Sequence, residues 1–216
     1  DGVQHTVWKA VRTDAFVQAF RNVPKAYIAD GHHRSAASFR AGMARREAAG
    51  AGADPDAEYN RFMACLFPSS QLKILPYNRC VRDLNGLSSG AFLQRVAAVF
   101  KVEDAASSAV SQPCSCAMYL GGRWHRLSWS LPESAQADPV SQLDVSRLQE
   151  DLLAPVLGIG DPRTDGRIFF VGGIRGNDEL VRLVDSGQAA VAFAMFPTTL
   201  EQMMAIADAG QTMPPK

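Results

Sequence analysis

The sequence predicts an α+β fold in which a mixed sheet is flanked by helices. Segments that alternate apolar and polar residues are typical of strands, and His5–Arg12 is one of them. Apolar residues at 3.6-residue spacing are typical of helices, and Ala36, Phe39 and Met43 form such a stripe. In the last third of the chain the two patterns alternate, which favours a series of β-α-β-α units.

The beginning of the chain is predicted to contain two strands and two helices. His5–Arg12 and Ala26–Ala29 are the predicted strands. Asp14 is expected to cap a short helix, and a longer helix is expected from His32 to about Ala49. Residues 49–56, rich in Gly, Ala, Asp and Pro, are predicted to form a loop.

Two further strands, 61–67 and 71–82, are expected to pair as a hairpin across Pro68–Ser70. Because proline lacks the N–H that a central strand donates, Pro76 predicts a bend or a sheet edge. Ser88 or Ser89 is then expected to cap a helix.

The second half is predicted to open with a hairpin of Cys116–Leu120 and Trp124–Trp129. The elements expected after it are helices beginning near Asp144, Asn177 and Thr198, and strands 167–171 and 189–196. Thr198 and Glu201 have the spacing of a capping box for the last of these helices.

Charge divides the sequence into two parts. Residues 1–82 hold 12 lysines and arginines against 7 aspartates and glutamates, whereas 83–216 are acidic and the formal net charge is +0. The basic first part is consistent with binding an anionic small molecule. We divide the chain into a phosphate- or nucleotide-binding part over 1–82, which contains the motif described below, and an α/β part over 83–216. The two are expected to form one compact unit that is a piece of a longer protein.

Composition narrows the functional class. A net charge of +0 provides no general attraction to nucleic acid or to membranes, and no basic helix-turn-helix segment is visible. No apolar run approaches the roughly 18 residues of a membrane span. Four cysteines are few for 216 residues and do not indicate a disulfide framework. These features predict a cytoplasmic protein.

The densest group of reactive side chains is Asp30-Gly31-His32-His33-Arg34, where an apolar run turns into the long predicted helix. The first N–H groups of a helix lack partners and attract anions. Gly31 permits a tight turn, while His33 and Arg34 can donate to phosphate oxygens. Asp30 can act as a general base or hold Mg²⁺, and His32 can also take a proton.

Two alternatives are compatible with the same residues. Asp30 can be an ordinary helix cap beside surface histidines, and Asp30, His32 and His33 can supply metal ligands. The concentration of such groups directly after an apolar segment favours the phosphate site.

Three residues outside the motif are candidates for binding the substrate. Asn78 and Arg79 follow the Pro76 bend, and Arg175 lies in a glycine-rich turn before a predicted helix. If the predicted strands run parallel in one sheet, these residues and the motif would line one cleft. Cys114 and Cys116 lack the spacing of a zinc site and are predicted to be structural.

The motif and its neighbours resemble the signature of the DUF1015 family, which is uncharacterised. Similar segments follow in the family's order at Leu75–Arg79, Phe170–Gly173, Val191–Phe193 with Pro197–Thr198, and Met213–Lys216. The motif is also similar to the phosphate-binding element of the ParB/sulfiredoxin superfamily, which includes free L-serine kinases.

This resemblance implies a ParB/sulfiredoxin-like N-terminal element and a kinase that phosphorylates a small hydroxylated metabolite, with free L-serine as the favoured acceptor. It implies that Gly31, His32, His33 and Arg34 hold the phosphate and that Asp30 is the acid/base or metal-organising group. The implied cofactors are Mg²⁺ and a donor such as ADP, ATP or pyrophosphate. The alternative is a non-catalytic nucleotide- or metabolite-binding regulatory protein of the ParB type.

Overall fold

A computed structural model describes residues 2–132 and 138–214. Two compact units can be distinguished, Asp1–Leu66 and Phe67–Lys216. The helices are α1 Asp14–Arg21, α2 His32–Ala49, α3 Ser89–Ala97, α4 Asp144–Leu148, α5 Asp178–Asp185 and α6 Leu200–Asp208. The strands are β1 Tyr77–Val81, β2 Lys101–Ala105, β3 Ser115–Leu120, β4 Arg123–Ser128, β5 Ile168–Gly172 and β6 Val191–Met195.

The second unit is built on one six-stranded sheet with the order β2-β4-β3-β6-β1-β5. Every neighbouring pair is antiparallel. Strands β5 and β6 therefore run parallel to each other but lie on either side of β1, and α5 connects them across it. The α+β class and the order of elements in the last third are confirmed, whereas directly adjacent parallel strands are not formed.

The position of β1 explains why the chain divides earlier than the predicted boundary at residues 82 and 83. Tyr77–Val81 pairs with Ile168–Gly172 along its whole length, and Arg79–Val81 also pairs with Val191–Phe193. This segment contributes a central strand to the second unit, so residues 67–82 belong with the sheet. The boundary between the units lies between Leu66 and Phe67.

The two faces of this sheet carry separate apolar cores. One face is covered by α3, α4 and the turns that follow α4, and its buried residues include Phe92, Leu148 and Phe193. The other is covered by α5, which buries Leu180 and Leu183. Successive strand residues point to opposite faces, so neighbouring side chains on β1 enter different cores.

The first unit consists of α1, α2 and short 3₁₀ turns. Helix α2 is held by the loop that follows it. A Cβ on Gly42 would lie 2.7 Å from the Tyr59 carbonyl oxygen, so the glycine permits this close approach. Arg46 donates to the Asn60 side chain, which in turn donates to the Asp54 carbonyl at 2.9 Å. Both predicted helices of this part are confirmed, but Asp14 is the first residue of α1 and Thr13 occupies the cap position.

The strands predicted at 5–12, 26–29 and 61–67 are wrong, because residues 2–66 contain no strand. Alternation identifies a segment that can present one apolar face, but a strand also needs a hydrogen-bonding partner, and none pairs with these segments within the unit. Their apolar side chains remain exposed, as at Val7, Trp8 and Ile28.

The predicted hairpin between 61–67 and 71–82 is also wrong. Ser69–Gln71 forms a 3₁₀ turn, and a strand begins only at Tyr77, directly after Pro76. The hairpin across Gly121 and Gly122 is confirmed as β3 and β4, and Ser88 caps α3 by accepting from the Ala91 N–H.

Two details differ from prediction elsewhere in the second unit. The capping box of α6 uses Thr199 and Gln202, one residue later than Thr198 and Glu201. Strand β2 was not expected, because its Lys-Val-Glu-Asp-Ala sequence is mostly polar and it forms an edge of the sheet.

Two compositional expectations concern membranes and cysteines. None of the helices in the described ranges combines the length and apolar character needed to cross a membrane. All four cysteines are free, and burial raises the pKa of the Cys80 thiol to about 12. Of the sequence segments that carry the family resemblance, the last extends to Lys216 and so lies partly outside the described residues.

Candidate functional site

The start of α2 is formed by an uncapped helical turn. Gly31 adopts φ 77° and ψ 23°, a left-handed conformation that glycine tolerates far better than residues with a side chain. The helix begins when the Ser35 N–H donates to the Gly31 carbonyl at 2.9 Å. No side chain of the described residues caps this end, so the first N–H groups of α2 are available to an anion and the helix dipole favours negative charge there.

The five motif residues lie together at this end of α2. The rings of His32 and His33 have centroids 4.2 Å apart. The Arg34 side chain folds back towards Gly31, where an added Cβ would lie 3.0 Å from its Nη2 atom. The same Nη2 lies 3.7 Å from Oδ2 of Asp30. Gly31 thus permits both the turn and the approach of the guanidinium to the helix start.

This cluster is open to solvent. The Asp30 and Arg34 side chains are 93% and 79% exposed, and both histidines are exposed as well. An ion pair of this kind contributes little to stability, so its groups can exchange partners readily. An incoming phosphate can replace Asp30 as the partner of Arg34 and accept hydrogen bonds from the helix N–H groups.

A metal held by protein side chains alone does not match this geometry. No group of three or more His, Cys, Asp or Glu side chains suited to a metal occurs among residues 2–132 and 138–214. Asp30 offers one carboxylate, which suits Mg²⁺ if phosphate oxygens and water supply the other ligands. Asp30 is the residue in this cluster that would hold such an ion.

In the second unit, Asn78 is fully buried and has a structural role. Its Nδ2 donates to Oδ1 of Asn177 at 3.2 Å, and its Oδ1 accepts from the Met195 N–H at 3.0 Å. The amide thereby links β1 to the end of β6 and to the start of α5. Arg175 lies near the same helix, is 69% exposed, and approaches Glu179 at 3.9 Å.

Arg79 points to the opposite face of the sheet from Asn78. It is only 7% exposed, it donates to the Tyr77 carbonyl, and its guanidinium carbon lies 5.6 Å from the centre of the Phe170 ring. Burial lowers the pKa of Arg79 to about 10, against smaller opposing effects of Cys116 and Tyr77. The side chain is therefore still a cation at neutral pH.

Arg79 lines a cavity of about 470 Å³ together with residues that sequence reasoning missed, such as Ser146, Gln149 and Arg163. No local signal marks these residues, because α4 and a later loop bring them to β1 only in the folded chain. Asn78 and Arg79 do not share a pocket, since they lie on different faces.

The motif belongs to the first unit, whereas Asn78, Arg79 and Arg175 belong to the second. The single cleft predicted to combine them stays a prediction.

Comparison with known proteins identifies the family of this chain. No curated protein and no solved structure matches the chain. The family described as "Protein of unknown function (DUF1015)" matches residues 1–146, which include the whole first unit and β1 to β4. Because this match covers more than half of the 216 residues, the chain belongs to the DUF1015 family.

Proposed function

We propose that this protein is a small-molecule kinase that binds its phosphate donor at the start of α2. The observation that carries the proposal is the convergence of an uncapped helix end, two histidines and Arg34 around Gly31. Backbone N–H groups and a guanidinium are the donors that proteins use most effectively for phosphate.

In this proposal the acceptor is a small hydroxylated metabolite, and L-serine is favoured. The preference for serine rests on the resemblance of the motif to that of free L-serine kinases. The donor is a nucleotide such as ADP or ATP, or pyrophosphate, because each presents the same terminal phosphate. The reaction takes place in the cytoplasm and involves no nucleic acid.

The reaction assigns a separate task to each residue. The acceptor oxygen forms a new bond to phosphorus while the bond between phosphorus and the bridging oxygen of the donor breaks. Asp30 or His32 takes the hydroxyl proton, and the bridging oxygen leaves with the remainder of the donor. Gly31, His33 and Arg34 hold the phosphate oxygens throughout. Mg²⁺, when bound, supplies positive charge to the phosphates.

A product assay tests this proposal. The protein is incubated with L-serine, Mg²⁺ and either ATP, ADP or pyrophosphate, and phosphoserine is detected by mass spectrometry. We expect product with at least one donor. We also expect a loss of about 100-fold or more in Asp30→Asn if Asp30 is the base, or in His32→Asn if His32 is. Arg45→Ala, an exposed arginine later in α2, is the matched control and should retain activity.

A non-catalytic regulatory protein that uses the same site is the second candidate. It is supported by the contact of Asp30 with Arg34, which engages the proposed base, and by the open surroundings of both side chains. Donor binding without phosphoserine, across all donors and with several divalent metals, would favour this candidate over the kinase. Absence of donor binding would exclude both.

A further inference from the structure

The cavity beside Arg79 is a second place in the molecule with the features of a ligand site, and it lies entirely within the second unit. Its volume of about 470 Å³ falls in the range of small-molecule pockets. Phe170 and Ile168 of β5 provide apolar wall, Gln149 provides an amide, and Asp161 and Arg163 lie on the loop side. Pockets of this kind, mostly apolar with a few polar groups, are typical of small organic ligands.

The notable group in this cavity is the Arg79 guanidinium, because it has no counter-ion. Within residues 2–132 and 138–214, its hydrogen-bond acceptor is the Tyr77 carbonyl, and no carboxylate lies within ion-pair distance. A neutral carbonyl and the face of Phe170 leave the positive charge uncompensated. A buried charge without a partner is costly to the folded state, which makes an external anion a favourable addition.

The neighbouring arginines do not share this condition. Arg163 is held by Asp161 at 2.8 Å, and Arg147 pairs with Asp151. The cavity therefore contains one unpaired positive charge, whereas the two carboxylates that line it, Asp161 and Glu150, are paired with Arg163 and Arg147. One unpaired cation suits a single negative charge and disfavours a polyphosphate.

We propose that this cavity binds a small organic carboxylate, whose carboxylate group pairs with Arg79 and whose apolar part lies against Phe170 and Ile168. The planar guanidinium can offer two parallel N–H groups to a carboxylate. The apolar walls distinguish an organic acid from an inorganic anion, which has no apolar part to bury. This site is independent of the phosphate site proposed at α2.

The wild-type chain tests the proposal with three probes: butyrate, its neutral amide butyramide, and inorganic phosphate. Binding is followed by NMR of methyl groups. Val145 and Ile168 line the cavity and should shift with butyrate, whereas Val181 and Val184, which pack on the other face of the sheet, should not. Butyramide and phosphate should bind at least about 10-fold more weakly than butyrate, because a hydrogen bond to a charged group is the main attraction.

Two arginine variants sharpen the test. Arg79→Met removes the charge, and Arg82→Met is its matched control, because Arg82 stacks on Phe169 at 4.7 Å on the opposite face of β5. Arg79→Met should weaken butyrate binding by at least about 10-fold, and Arg82→Met should leave it unchanged. If Arg79→Met does not fold, the comparison of butyrate with butyramide on the wild-type chain still shows whether the cavity recognises the negative charge.

The proposal is overturned by any of three results. If butyrate does not shift the Val145 and Ile168 methyl signals, the cavity does not bind a carboxylate. Equal binding of butyrate and butyramide would show that charge is not recognised. Phosphate binding in preference to butyrate would assign the cavity to a different class of anion.

Discussion

Replacing Asp144 with asparagine should make the second unit more stable at neutral pH than at acidic pH, relative to the wild type. Asp144 begins α4 and is 6% exposed, and its Oδ1 accepts from the Cys114 N–H at 2.9 Å. Burial raises the pKa of this carboxyl from 3.8 to about 6, partly offset by the hydrogen bond from Cys114. The ionised form is therefore less favourable in the folded chain than in the unfolded one.

The size and direction of the effect follow from these two pKa values. Below the unfolded pKa of 3.8 the carboxyl is protonated in both the folded and the unfolded state, so its ionisation does not affect the free energy of unfolding. As the pH rises from there to about 6, the unfolded state loses its proton first and the folded state becomes less stable. Above about 6 the loss is complete. A shift of roughly two pKa units corresponds to about 3 kcal/mol.

Asparagine has no proton to lose and can still accept from the Cys114 N–H. We therefore expect the free energy of unfolding of Asp144→Asn, relative to the wild type, to rise by up to about 3 kcal/mol between about pH 4 and pH 7. Urea unfolding followed by tryptophan fluorescence measures it. A Trp8→Phe background limits the signal to Trp124 and Trp129, which both lie in the second unit.

Asp165→Asn is a control with the opposite sign. Its carboxylate pairs with Arg167 at 2.7 Å, and the hydrogen bond from Arg167 lowers the pKa of Asp165. Asp165 contributes stability above its unfolded pKa, and this contribution is lost as the pH falls through its folded pKa. The free energy of unfolding of Asp165→Asn, relative to the wild type, should therefore fall as the pH rises. Parallel pH curves for Asp144→Asn and the wild type would refute the reasoning.

Two further changes test the packing around β1, each by urea unfolding. Gly173→Ala should lower the free energy of unfolding by about 1–3 kcal/mol, because the new Cβ would lie 2.6 Å from Cδ of Pro76. Gly172→Ala meets nothing within 4 Å and should cost under about 1 kcal/mol, so equal effects of the two changes would contradict this account. Asn78→Ala should lower the free energy of unfolding by about 1–3 kcal/mol, because it leaves the Met195 N–H without an acceptor. An unchanged free energy of unfolding would show that this hydrogen bond contributes little.

The elements that the sequence predicted correctly are those set by local chemistry. Ser88 supplies a cap within its own helix, and Gly121-Gly122 supplies the left-handed conformations of a tight turn. The strands predicted at 5–12 and 61–67 were wrong because a strand depends on a partner, and that partner can lie far away in the chain. Alternation cannot identify that partner.

The candidate sites show the same contrast between residues that are close in the sequence and residues that only the fold brings together. Asp30–Arg34 is contiguous, so its residues were found together, and the structure keeps them together. Asn78 and Arg79 are adjacent in the sequence, but successive strand residues point to opposite faces of the sheet. Asn78 therefore hydrogen-bonds to the Met195 N–H, whereas Arg79 lines the cavity. The residues that line that cavity with Arg79, such as Gln149 and Arg163, come from distant segments and could not be inferred from spacing.

The central claim, that the start of α2 binds phosphate, is tested most directly by titrating pyrophosphate into the chain and following backbone amide signals by NMR. The amides of His32, His33 and Arg34 should shift most. Arg34→Ala should weaken binding by about 10-fold, whereas Arg45→Ala should have little effect. Amides that do not respond, or equal binding by the two variants, would contradict it.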